Sequence, residues 1–469
     1  MTLRPIPLHA APSEAAADAS GAPRARRWDL AAGGAALLFF LAMAAIGGYL
    51  QRDSYLLRSP FPPLEAWWMP HAGPGTPFAV AVAVLVVAHG PTLARRLSWR
   101  ALPVSAWAAA MAWTWALALI DGWQRGVAGR LTASGEYLVG VRRFDHLGPA
   151  LRGFTGHILL HSPDNWPTHI AGHPAGAILT FVGLDRIGLG GGAAAGIFCI
   201  TTGASLVPAV LLTLRIVADE ERARAAAPFV VLAPGAVWVG VSADGYFAAV
   251  AAWALALLAV AATRTSAWRT AAAGLGSGLL FGAAVYLSYG LVLLVIPAAA
   301  ILLCTRSPRP LPYLVLGAVA VGAAFTAAGF DWWEAYGLLR TRYHQGYGGI
   351  RPYSYWFFGD LATVVASAGV ASVAGLRRVL AAAPAVLRKG WRHDPRAVAA
   401  VLLPCGFLAA VLAADLSGLS KAETERIWLP FALWLTAAAA FLPRRDHRAW
   451  LAAQALAALL VNHLLLTVW

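Results

Sequence analysis

The feature that most limits how this chain can fold is a recurring apolar segment about as long as a bilayer is thick. The first, "LAAGGAALLFFLAMAAIGGYL" over 30–50, contains no charged residue. A helix needs about 20 such residues to span the hydrocarbon layer. Comparable segments follow at 76–94, 101–121, 172–188, 190–214, 226–241, 245–263, 270–287, 289–304, 311–329, 355–376, 397–414, 425–442 and 449–468. Lipid offers the backbone no hydrogen-bond partners, so only helices or closed barrels cross it. Barrel strands alternate apolar and polar residues, and these segments do not. Composition agrees: 59% of residues are hydrophobic and 12% charged, where soluble domains carry about a quarter charged residues. The expected fold is all-α, a polytopic transmembrane helical bundle.

The net charge of +14 does not indicate nucleic acid as a partner. Its Lys and Arg residues gather in short loops between apolar segments, the pattern of cytoplasmic loops. These are 94–100, 215–225, 263–270, 304–310, 388–396 and 443–448. Residues 1–28 are rich in Ala, Pro and Arg and read as a disordered cytoplasmic N-terminus. The segment after them reads as a first span, not a cleaved signal. The three cysteines, Cys199, Cys304 and Cys405, lie in apolar segments and suggest no disulfide framework. Crossings counted from the two termini disagree by one, so one segment is not a full span. Segments 172–188, short and Gly-rich, and 226–241, with Pro228 and Pro234, are the candidates. About 13 crossings are expected, in the plasma membrane.

That topology leaves four outer loops: 51–75, 122–170, 330–354 and 414–428. The second is the longest. Within it "SGEYLVGVRRF" (134–144) reads as a surface helix capped by Ser134, with Glu136 in its first turn. "LGPALRGFTGHILLH" (147–161) has helical periodicity as well. Many Trp residues sit at segment ends, among them Trp67, Trp68, Trp123, Trp166, Trp332, Trp333 and Trp356. An interfacial belt accounts for them.

Carboxylates at such a membrane mouth can serve as general bases. Asp121, Glu136, Asp145 and Asp164 qualify, each also readable as a solvated loop acid. His169 and His173, four apart in "NWPTHIAGHPAGAILTF", would share a helix face. Pro167 and Pro174 argue against one helix through both, and no Glu follows His169, so the zinc pattern His-Glu-x-x-His is absent. Hydrogen bonding to phosphate or backbone suits them better than a metal. "GLSKAETERIW" places Lys421, Glu423, Glu425 and Arg426 beside the bilayer, where cations can hold an anionic headgroup. An ordinary charged turn is the plainer account. Asp244 in "SADGYF" is a helix cap or a functional acid.

Taken in order, these motifs resemble the GT-C superfamily of integral-membrane glycosyltransferases. The likeness is to the branch holding protein O-mannosyltransferases and the lipid A aminoarabinose transferase. "GEYL" (135–138) is similar to that branch's acidic motif in a long outer loop, and "GHPAGAILTF" (172–181) to its His-Pro-Pro segment, with Ala175 in place of the second Pro. "SADGYF" (242–247), the Gly-rich "GLGSGLLFGAAVYLSYG" (274–290) and "SKAETERIWLPF" (420–431) continue the series. The resemblance implies a catalytic membrane module over 101–330, preceded by two additional spans (29–100) and followed by C-terminal spans (331–469). It also implies a polyprenyl-phosphate sugar donor and a glycan, lipid or protein acceptor. Transfer would proceed with inversion, using Glu136 or Asp121 as base. Lys421 and Arg426 would stabilise the departing phosphate, with His169, His173, Tyr137, Asp244 and Arg351 at the substrate. No cofactor is implied, although other GT-C branches use a divalent metal. The competing reading is a multi-pass transporter or a lipid or glycan flippase. It expects internal repeats and charges inside spans; the sequence shows no clear repeat and few such charges.

Overall fold

The computed structural model describes residues 14–52, 55–390 and 394–468. It is an all-α bundle in which, among the described residues, eight helices are long and apolar enough to cross a membrane. These are Arg24–Gln51, Thr76–Arg96, Ala101–Asp121, Gly192–Val217, Ala243–Thr263, Ala267–Leu287, Val370–Lys389 and Pro395–Leu416. Leu311–Ala327 joins Trp332–Gln345 through a 78° bend, and Tyr289–Thr305 and Leu429–Phe441 are shorter apolar helices.

Several expected segments are broken, each for a local reason. Segment 172–188 holds only the 12-residue helix Ala175–Arg186, which starts after Pro174. In segment 226–241 the helix Glu220–Val231 stops three residues past Pro228, and only the short turn Ala236–Val239 follows. Segment 355–376 is divided at Gly369, whose φ of +85° ends Tyr353–Ala368 and opens Val370–Lys389.

The Gly-rich segment is explained by packing. Gly274, Gly278 and Gly282 recur every fourth residue on one face of the Ala267–Leu287 helix. A Cβ on Gly278 would lie 2.1 Å from the Leu314 carbonyl oxygen, and one on Gly317 would lie 2.6 Å from that of Leu275. Small residues let two helices meet backbone to backbone, the usual basis of helix association in lipid. Some buried polar groups are paired across helices. Gln454 donates to Phe229 O at 3.0 Å, and Asn462 to Leu117 O at 2.8 Å. Asp29, 1% exposed, takes both Arg377 and Arg378 and ties the first helix to Val370–Lys389.

A two-stranded antiparallel sheet adds to the helices. Strand β1 (Ala66–Trp68) pairs with β2 (Leu465–Thr467) and joins loop 51–75 to the C-terminus. The four long loops gather at this end. Arg351 reaches Glu65 and the Lys421 carbonyl; Arg342 donates to Ile158 O and Trp166 O; Gln345 accepts from Leu160 N. Three of the basic loops meet at the opposite end, where Arg224 donates to Ala94 O and Leu97 O and Arg444 pairs with Glu221.

Residues 122–191 have their own aromatic centre. Phe144 and Phe154 are fully buried, and Trp166 is buried and stacks on Phe144 with ring centres 5.5 Å apart. The Arg143 guanidinium lies 3.5 Å from the Trp166 ring centre. Trp166 and Trp356 are therefore interior residues, not members of an interfacial belt, whereas Trp67, Trp68, Trp123 and Trp333 are exposed.

Candidate functional site

The site is built from four segments far apart in sequence. The first is the turn around Glu136. The expected helix over 134–144 is instead a 3-10 helix, Leu138–Phe144, which Ser134 does not cap, and Glu136 precedes its first turn. The turn is shaped by its neighbour, since a Cβ on Gly140 would collide with Ile170 and the Gly135 carbonyl accepts from His169 N at 2.9 Å. The second segment is Thr168–Gly172, a five-residue helix started after Pro167 and ended at His173, whose backbone is extended. Pro167 thus precedes the helix and Pro174 follows the extended His173, so one helix does not run through both histidines.

The third segment begins the Ala243–Thr263 helix. Its N-cap is Ser242, whose Oγ accepts from Gly245 N. Asp244 is thereby left for another partner, so the capping account of Asp244 does not hold. The fourth segment is the short helix Thr424–Ile427, which carries Arg426.

Arg426 joins them. Its Nη1 donates to Asp244 Oδ2 at 2.5 Å, and its Nη2 to Glu423 Oε2 at 2.5 Å and to His169 Nε2 at 2.8 Å. A guanidinium only donates, so His169 Nε2 accepts and the imidazole proton sits on Nδ1. That Nδ1 lies 2.8 Å from Glu136 Oε1. His169 thus relays the fixed position of Arg426 to the Glu136 carboxylate, and both its nitrogens face protein partners. Glu136 Oε2 has no hydrogen-bond partner among the described residues, and Glu136 is 8% exposed. Tyr137 is buried against Phe181, His169 and His173, with ring centres 5.2, 6.0 and 5.7 Å away.

A second ring lies behind Glu423. Arg351, 6% exposed, donates to Leu57 O, Lys421 O, Arg58 O and Glu65 Oε2, and lies 3.8 Å from Glu423 Oε1. Lys421 donates to Gly348 O and Arg351 O. Burial alone would raise Glu423, but Arg426 and Arg351 hold it below the usual carboxylate range. Burial, with Glu423 close by, pushes Glu65 up to about 8 against the pull of Arg351. Burial also pushes His173 down to about 4, although Asp244 acts the other way.

Of the sequence candidates, Glu136, Tyr137, His169, His173, Asp244 and Arg426 come together, and Arg351 and Lys421 stand next to them. Asp121 does not join them. It is held by His71 at 2.9 Å, Arg125 at 3.2 Å and Arg130 at 2.9 Å, and Arg130 also donates to Thr467 O. Asp121 therefore ties the start of loop 122–170 to the C-terminal strand. The phosphate role expected of Lys421 and Arg426 meets a geometric objection, because each is already committed to protein acceptors. Among the described residues no three His, Cys, Asp or Glu side chains converge as metal ligands would.

Sequence reasoning missed Glu65 and Asp360. Glu65 is a single acid in the Pro- and Trp-rich "FPPLEAWW", and its N–H donates to Glu425 Oε1 at 3.0 Å. Asp360, 1% exposed, accepts from Ala422 N and Thr424 Oγ1, both at 3.1 Å, and so shapes the turn before Arg426. Its signal was an acid inside an apolar segment.

Glu65 gives a pH prediction. A carboxyl raised from 4.5 unfolded to about 8 folded binds its proton more tightly in the native state. Its contribution to stability is whole below pH 4.5 and is lost as pH rises through about 8. Thermal unfolding in detergent should move to lower temperature from pH 6 to pH 9, and Glu65→Gln should flatten that trend. An unchanged slope in the variant would remove Glu65 as its source.

No family model, curated protein or solved structure matches this chain.

Beside the cluster runs a groove of about 460 Å³, lined by Leu138, Val139, Phe181, Leu184 and Leu189, with Arg142 also on its wall. Phe181 is shared between the groove and the stack on Tyr137.

Proposed function

We propose that this chain is a membrane glycosyltransferase of the GT-C kind, acting on the outer face of the plasma membrane. It moves a sugar from a polyprenyl-phosphate donor to a hydroxyl on a glycan, lipid or protein acceptor. Following each broken apolar segment as one path, with 172–188 kept outside, gives about 13 crossings and puts the basic loops inside. The observation that carries this reading is the Glu136 carboxylate. One oxygen is steadied by His169 and the other is left for a substrate, while the backing is fixed by Arg426, Asp244 and Glu423.

In the step this supports, the acceptor oxygen attacks the anomeric carbon from the side opposite the phosphate. Its proton passes to Glu136 Oε2, and the anomeric C–O bond breaks with its electron pair leaving on the polyprenyl phosphate. General-base help of this kind contributes about 10²–10⁴-fold in rate. The apolar groove suits the lipid part of the donor, with Arg142 as its nearest uncommitted cation, a role first expected of Lys421 and Arg426.

The alternative is a transporter or a lipid or glycan flippase, and buried Asp360 and Asp415 within apolar helices favour it. Sealed vesicles carrying sugar-labelled undecaprenyl phosphate separate the two. A transferase moves the label onto another molecule. A flippase leaves it on undecaprenyl phosphate but changes its side. Label that stays on the donor on its original side contradicts both.

A further inference from the structure

His173 stands where the Thr168–Gly172 turn passes into the Ala175–Arg186 helix. Its Nδ1 lies 2.8 Å from the His169 carbonyl oxygen. A carbonyl only accepts, so Nδ1 carries the proton, and Nε2 of the neutral ring has a lone pair and no hydrogen. Burial, with His169 and Arg426 nearby, supports that neutral form. Nε2 has no hydrogen-bond partner among the described residues and is not sealed off from solvent, the residue keeping 9% exposure. The rings of Tyr137 and Phe247 lie beside it, with centres 5.7 and 5.6 Å away.

We propose that His173 is the sugar-side contact of this site: its Nε2 accepts a hydrogen bond from a substrate hydroxyl, beside Tyr137 and Phe247, and takes no part in holding phosphate. A phosphate diester presents only acceptor oxygens, which a lone pair repels. A sugar ring presents hydroxyl donors that a lone pair can accept from. A site built to pair with a substrate hydroxyl discriminates strongly against a ligand lacking it. The inference rests on the transferase reading above and departs from the donor-phosphate role first expected of His173.

Two substitutions separate the ring nitrogens. His173→Asn keeps an amide N–H where Nδ1 stands and removes the Nε2 acceptor. His173→Gln places its amide oxygen where Nε2 stands. Binding to purified protein in nanodiscs is measured for bare undecaprenyl phosphate and for undecaprenyl phosphate bearing a series of hexoses and pentoses. Wild type should bind at least one sugar-bearing lipid about tenfold more tightly than the bare lipid. His173→Asn should erase that preference and leave bare-lipid affinity unchanged, while His173→Gln should keep most of it. Should the Asn variant not fold, Gln against His173→Met, similar in length and without a strong acceptor, makes the same comparison.

Loss of bare-lipid affinity in His173→Asn would place His173 at the phosphate and overturn the inference. So would a sugar preference that survives in that variant, or a wild type that binds bare lipid and prefers no sugar. A wild type that binds none of these lipids would instead remove the donor reading itself.

Discussion

Glu136→Gln is expected to lower sugar transfer by roughly 10²–10⁴-fold and to leave thermal unfolding almost unchanged. The amide keeps an oxygen beside His169 Nδ1, and Arg426 keeps its bond to His169 Nε2, so the geometry around Arg426 persists. The amide cannot take the acceptor proton. Arg426 would still face two carboxylates, Asp244 and Glu423, so no buried cation is orphaned. The measurement is initial transfer rate per folded molecule in membranes supplied with a polyprenyl-phosphate sugar. Asp121→Asn is the control: it loosens the His71, Arg125 and Arg130 cluster and should lower unfolding temperature more than rate. A wild-type rate in Glu136→Gln, with loss in Asp121→Asn, would exchange the two assignments.

Arg426→Met is expected to be the most destabilising single change in the molecule. Arg426 is 4% exposed and contacts Asp244, Glu423 and His169. Methionine fills much of the volume but leaves Asp244 and Glu423 as buried carboxylates with one cation fewer. Removing one partner of a buried ion pair costs about 3–5 kcal/mol. The expected result is a sharp fall in monodisperse protein from detergent and a lower unfolding temperature. Arg426→Lys should recover only part, since a point charge cannot hold three acceptors in the geometry of a planar fork. An Arg426→Met protein as stable as wild type would mean that the network does not hold the site together.

The sequence made some of this legible and hid the rest. Apolar length and the absence of alternation were enough for a multi-pass helical bundle, because lipid leaves the backbone no other choice. Pro167 and Pro174 were enough to keep His169 and His173 off one helix. "GEYL", "GHPAG", "SADGYF" and "SKAETERIW" each supply a side chain to one cluster, and local charge placement marked them. What stayed hidden was pairing. Whether Arg426 holds a ligand or three protein groups depends on Asp244, 182 residues away in sequence. Glu65 meets Glu425 across 360 residues, and no local pattern encodes such a contact. Helix type was also misread where tertiary contact prevailed. Residues 134–144 start with a plausible cap at Ser134, yet the chain forms a 3-10 helix over Leu138–Phe144, with Gly140 packed against Ile170. Asp244 reads as a cap or a functional acid, and only the geometry assigns the cap to Ser242.

In the proposed reaction a polyprenyl-phosphate sugar reacts beside Glu136. A structure of the protein in nanodiscs with bound undecaprenyl-phosphate sugar tests it most directly. The sugar should lie between Glu136 and His173, its phosphate on the Arg142 side, and the lipid along Leu138, Leu184 and Leu189. A donor lodged elsewhere, or a sugar with no path from its anomeric carbon to Glu136, would contradict it.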